Sequence, residues 1–248
     1  GFALNLGGIY AGMVDLFADY AHYQERPPRA PLAQPLMDPP VDWFRAADLG
    51  QRYFAWQAGV QDFTLGKPAA IEYRRDLGIY VIPEPNPAAT MAVRALWHLS
   101  IVYPDQTAFP PTDWHYDAEA MFIDGSSLYI LTKHRKEGQW NRLARRTSLF
   151  LLDLTSVRLD QQNPLQRVDH VGRLNPPTAA DLSPDGRWLA VLTIGQLQLF
   201  ARPDTGRNWL SAHPDRRYST NLPADIGQAE ALAWDDHETL RIVTENDG

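Results

Sequence analysis

Residues 117–133 read DAEAMFIDGSSLYILTK, and the same outline returns at 179–193, AADLSPDGRWLAVLT, and at 228–245, QAEALAWDDHETLRIVTE. Each copy has an acid near its head, a short apolar stretch, an Asp-rich turn and a second apolar run closing on Thr132, Thr193 or Thr244. The turns are Asp124-Gly125, Asp185-Gly186 and Asp235-Asp236. Asp-Gly between apolar runs is the strongest short-range signal for a tight β-hairpin. A further strand-like run follows the first hairpin, SLFLLDL at 148–154, and another follows the second, GQLQLFAR at 195–202. The three threonines stand roughly 50–60 residues apart, the length of one four-stranded propeller blade with its loops. Blades repeat radially because no single blade can bury both of its faces. The expected fold is therefore an all-β β-propeller of five or six four-stranded blades. The last unit, ending in TENDG, reads as an incomplete blade that an N-terminal strand would close.

Upstream, the runs at 53–63, 68–75, 77–85 and 95–105 are short, rich in β-branched and aromatic residues, and bounded by Gly, Pro and Asp, as strands are. Residues 41–248 are taken as the propeller domain and residues 1–40 as a separate N-terminal arm. Within the arm, Ile9, Met13, Leu16, Phe17 and Tyr20 recur at helical spacing, which predicts an amphipathic helix over about residues 9–23. RPPRAPLAQPLMDPP, residues 26–40, follows as an extended proline-rich strap, since proline forbids continuous helix. The helix either packs on its own domain or docks on a partner through Ile9, Met13, Phe17 and Tyr20. It lacks the basic face that a membrane-surface helix would carry.

A resemblance bears on both fold and setting. SPDGRWLAV resembles the Ser-Pro-Asp-Gly strand of TolB-like and WD-like bacterial propellers. The order IYVIPEP, YPD, DAEAMFIDG, LYILTK, ADLSPDG and QAEALAW, over residues 77–248, resembles a group of exported bacterial propeller proteins loosely allied to the phytase-like esterase propellers. The resemblance implies a propeller fold and a periplasmic or extracellular location. It leaves two activities open, recognition and hydrolysis.

Charge and motif content exclude several classes. The 248-residue chain carries a formal charge of -7 with acids and bases interspersed, whereas a nucleic-acid surface needs a concentrated basic footprint. It has no cysteine, so disulfides, thiolate metal sites and a cysteine nucleophile are excluded. No uninterrupted apolar run of about 18 residues is present to form a transmembrane span. The histidines at 22, 98, 115, 134, 170, 213 and 237 form no HExxH or HxH pattern, and the chain holds neither a GxSxG elbow nor a P-loop. The chain opens on Gly1 rather than methionine, as a processed product would.

What remains is a set of charged residues at one end of the hairpins. A blade's first strand begins where its second strand ends, so Asp117 and Glu119 are expected beside Lys133, with Asp181 and Glu230 as counterparts in later units. Two readings stand for these acids. They make structural ion pairs at the rim, or they converge with Trp114 on the propeller's opening and bind a polar small-molecule ligand. Catalytic residues are unassigned and no metal site is expected; calcium, which takes about six to eight oxygen ligands, is the one cofactor such acids would accommodate. The first functional expectation is a non-catalytic binding or assembly subunit, engaging a protein partner or larger complex through its ring face and arm. The alternative is a phytase-like, esterase or lactonase propeller hydrolase that uses the acidic opening with or without calcium.

Overall fold

The computed structural model describes residues 53–58, 77–83, 97–108, 115–136 and 139–245. The helix expected over 9–23, the strap over 26–40, the boundary at residue 40 and the run at 68–75 lie outside these residues, as do Ile9, Met13, Phe17, Tyr20 and Trp114.

The described residues are all-β, arranged as successive sheets taken in chain order. The first sheet joins β1 (Tyr53–Ala58), β2 (Gly78–Pro83) and β3 (Trp97–Val102), antiparallel neighbours. The second runs β4 (Asp117–Asp124), β5 (Ser127–Lys136), β7 (Arg146–Asp153) and β9 (Gln166–Gly172), with β6 (Gln139–Ala144) pairing the far end of β5. The third runs β10 (Pro177–Leu182), β11 (Trp188–Thr193), β12 (Gln196–Ala201) and β13 (Arg217–Asn221), and the fourth is the hairpin of β14 (Gln228–Trp234) and β15 (Leu240–Glu245). A two-residue strand, β8 (Asn163–Pro164), leaves the second sheet's β7–β9 connection and pairs parallel to β3 of the first. None of these sheets closes on itself.

The core is three layers of side chains, one between each pair of consecutive sheets. Alternation along each inner strand feeds two layers at once, because successive side chains of a strand point to opposite faces. On β5, Leu128 and Ile130 enter the first layer while Tyr129 and Leu131 enter the second. On β11, Leu189 and Val191 enter the second layer while Ala190 and Leu192 enter the third. Burial on both faces is why these strands read as continuous apolar runs rather than as alternating ones. Phe122 and Trp209, both buried, meet edge-on in the second layer at 5.8 Å between centroids.

The three expected hairpins are present, and the second and third turns are built from their own side chains. In the first, Asp124 pairs with Ser127, so the loop is Gly125-Ser126, with Gly125 at φ 60°. That left-handed position is one glycine occupies without steric cost. In the second, Gly186 (φ 68°) donates its N–H to the Ser183 carbonyl at 2.7 Å. Ser183 Oγ donates to Asp185 Oδ1 at 2.6 Å and accepts the Trp188 N–H at 2.9 Å, while Asp185 Oδ1 also accepts the Arg187 N–H. The Ser-Pro-Asp-Gly string is therefore a self-satisfying turn. In the third, Asp236 plays the organising part, accepting the N–H groups of Glu238 and Thr239 at 2.8 and 2.7 Å.

The turn end also ties sheets together. Arg202, at the end of β12, holds Asp124 with two hydrogen bonds of 2.7 and 3.0 Å, bonds the Gly186 carbonyl and lies over the Trp209 ring at 4.9 Å.

Candidate functional site

The first strands of the last three sheets lie side by side, β10 between β4 and β14. All three share a defect near their start. The register of β4 against β5 shifts between Ala118 and Ala120, that of β10 against β11 between Pro177 and Ala179, and that of β14 against β15 between Ala229 and Ala231. Each shift inserts one extra residue, a β-bulge, and the three inserted residues are Glu119, Thr178 and Glu230. A bulge reverses the facing of everything before it relative to everything after it. The packing records that reversal: Ala118 faces the first layer and Ala120 the second, although they are two residues apart.

Around Glu119 the charged side chains are brought together as the sequence leads one to expect. Lys133 forms an ion pair with Glu119, and Arg135 bonds Asp117 Oδ2 at 2.7 Å. Lys133 and Asp117 are buried, and Glu119 and Arg135 partly so. Burial pushes the Glu119 carboxyl above its ordinary value; Lys133 opposes this, while Asp117 and Glu230 add to it. Glu230 therefore acts electrostatically on Glu119 across the intervening strand. Thr178, between them in the row, is buried and donates its hydroxyl to the Ala229 carbonyl at 2.9 Å, tying the second bulge to the third. Asp117 Oδ1 is buried without a hydrogen-bond partner.

Asp181 lies elsewhere. Aligned by the bulges, the position equivalent to Glu119 and Glu230 on β10 is Thr178, and Asp181 falls three residues further along, opposite Ala190. Its side chain crosses to the fourth sheet, where Oδ2 accepts the Trp234 N–H at 2.8 Å, and Oδ1 accepts the Leu182 N–H at 2.9 Å. In return the Trp234 indole donates to the Asp181 carbonyl at 3.2 Å. Burial pushes the Asp181 carboxyl up to about 7, against the lowering effect of those two backbone N–H groups. Asp181 is thus a staple between sheets, outside the row that Glu119 and Glu230 share.

On the other face of β5 the structure assembles a group that no sequence motif announces. His134 is buried, its ring stacked on that of His115 and near that of His170, with Ser148 bonded to both His134 and His170. The four residues are spread over 56 positions, and only strand pairing joins them: Ser148 stands opposite His170 in the β7–β9 register. Spacing within the sequence carries no trace of that pairing.

Chemically, the charged row presents neighbouring acids whose nearest bases already engage them. Among the described residues no group of three histidines, aspartates or glutamates is disposed to hold a metal ion. Nor is any helix among them long and apolar enough to cross a membrane. Compared with known proteins, the chain matches no family model, and no curated protein sequence is significantly similar to it.

Proposed function

We propose that this chain is a β-propeller that works by recognition rather than catalysis, as a binding or assembly subunit whose ring face carries the Asp117, Glu119, Glu230, Lys133 and Arg135 row. The propeller reading is supported by consecutive sheets that stack through shared apolar layers, the first strands of the last three being adjacent. The observation that carries the functional reading is the pairing of charges. Glu119 is held by Lys133 and Asp117 by Arg135, so neither acid is left as a ready base or as part of an oxygen cage for calcium. Glu230 on β14 raises the proton affinity of Glu119 across the row, and acids on adjacent first strands suit an amino or guanidino group on a ligand or protein partner. The N-terminal arm supplies a second contact in this reading, and the exported setting follows from the sequence resemblance alone.

The test is a titration of the full chain, by calorimetry, with calcium and with small amines such as lysine and arginine methyl esters, run beside a turnover panel of phosphoesters, carboxyl esters and lactones. Amine binding weakened by Glu230→Gln, with no turnover, is the expected result. Calcium-dependent turnover of any panel member would replace recognition with the hydrolase alternative.

A further inference from the structure

Alternation along β5 sends His134 to the face opposite Lys133 and Arg135. There its ring stacks on His115, 4.2 Å between centroids with the planes 13° apart, and lies 5.5 Å from the ring of His170. Ser148 Oγ is 3.1 Å from His134 Nε2 and 3.2 Å from His170 Nδ1. The hydroxyl holds one proton, so one ring presents an N–H to it and the other a lone pair. His134 Nδ1 is buried with no hydrogen-bond partner. His115 belongs to the residues leading into β4, His134 to β5, Ser148 to β7 and His170 to β9, so one cluster clasps four pieces of the second sheet.

We propose that the stack of His115, His134 and His170, bridged by Ser148, is an acid-sensitive latch that holds β9 and the entry to β4 against the sheet and lets them go when an imidazole takes up a proton.

Among the described residues, those facing His134 and His170 leave little to balance an added charge there. Arg146 on β7 and Arg167 on β9 face the cluster, and both disfavour a protonated ring at His134 and His170. Across the β5–β6 pairing, the residue opposite His134 is Ala144. Among the described residues, the acid that favours a charged His170 is Asp169. Asp169 is already engaged: Oδ2 accepts the N–H groups of Leu210 and Ser211 at 2.8 and 2.9 Å, and Oδ1 accepts the His170 N–H. A proton on the His134 or His170 ring therefore sets a cation against a neighbouring imidazole and two guanidinium groups. Burial, the largest cause, acts in the same direction, holding His134 down to about 3 and His170 below the usual histidine value. β9 is the element that such a charge would free first, because it is an outer strand and mostly exposed, with only Val168 and Val171 packed against a core layer.

The experiment is amide hydrogen exchange on the full chain at about pH 7.5 and about pH 5, with rates corrected for the intrinsic pH dependence of exchange. In the unmodified protein, protection in residues 166–172 and 115–118 should fall about tenfold relative to the third sheet, the ratio expected for one pH unit of differential protonation. His170→Gln, whose side-chain amide can still meet Ser148 and cannot be charged, should reduce that selective response, and adding His134→Gln should remove most of it. A uniform change over all sheets, or an unchanged selective response in His170→Gln, would overturn the latch. Should that variant not fold, imidazole nitrogen spectra of the unmodified chain decide: a neutral His134 across the range supports the latch, and a His134 titrating at the ordinary histidine value overturns it.

Discussion

Asp181 makes a specific demand on the pH dependence of stability. Its carboxyl is buried between the third and fourth sheets and is pushed up to about 7, whereas in the unfolded chain it returns to the ordinary aspartate value of 3.8. A group whose folded value is raised binds more protons folded than unfolded between those two limits. Stability must then fall as pH rises through that window and level off above it. At about 1.4 kcal/mol per pH unit the full interval corresponds to roughly 4 kcal/mol. Asp181→Asn keeps an oxygen for the Trp234 N–H and cannot ionise. Urea unfolding followed by tryptophan fluorescence, run at intervals from about pH 4 to about pH 8, measures both proteins. The stability difference between variant and parent should shift in the variant's favour as pH rises, by about 2–4 kcal/mol over the range. Because other groups titrate identically in the two proteins, only that difference is diagnostic. A difference that stays flat from acid to neutral pH would refute the reasoning.

Two further outcomes follow from the turns and the charged row. Ser183→Ala removes a hydroxyl that both donates to Asp185 and accepts from Trp188, and should cost about 1–2 kcal/mol in the same unfolding assay, with no effect on the first hairpin's exchange protection. For the Lys133–Glu119 pair, Lys133→Met alone should cost about 2 kcal/mol by leaving a partly buried carboxylate unpaired, and adding Glu119→Gln should recover much of the loss; additive costs in that double-mutant cycle would show the pair to be uncoupled.

Many of the strands were legible in the sequence because they are apolar or aromatic runs bounded by turn residues. The runs chosen at 53–63, 77–85, 95–105, 148–154 and 195–202 contain or overlap β1, β2, β3, β7 and β12. The outer strands β9 and β13 gave no such signal. QRVDHVG and RYSTN are mostly exposed, and only hydrogen bonding to an inner neighbour makes them strands. The pairing of Glu119 with Lys133 was legible as well, since a hairpin's two ends must meet. The place of Asp181 was not. Matching the three units by their acids set Asp181 beside Glu119, whereas the bulge counts residues from the strand's start and sets Thr178 there. A bulge adds a residue without altering composition, so a pattern read by eye slips past it. The histidine cluster was hidden for a related reason: its members meet across strand registers, which no local spacing encodes.

The shared bulge has a consequence for the composition of this surface. A residue inserted by a bulge is released from the alternation that commits every neighbour to one apolar layer or the other. Positions 119, 178 and 230 are therefore set apart from the apolar packing that holds Ala118, Ala120, Ala179 and Ala231, and all three carry polar groups, Thr178 even though it is buried. The row is a short polar text written on an apolar page, one letter per sheet, with Glu119 held by Lys133 and Thr178 by the Ala229 carbonyl rather than by the packing beneath them.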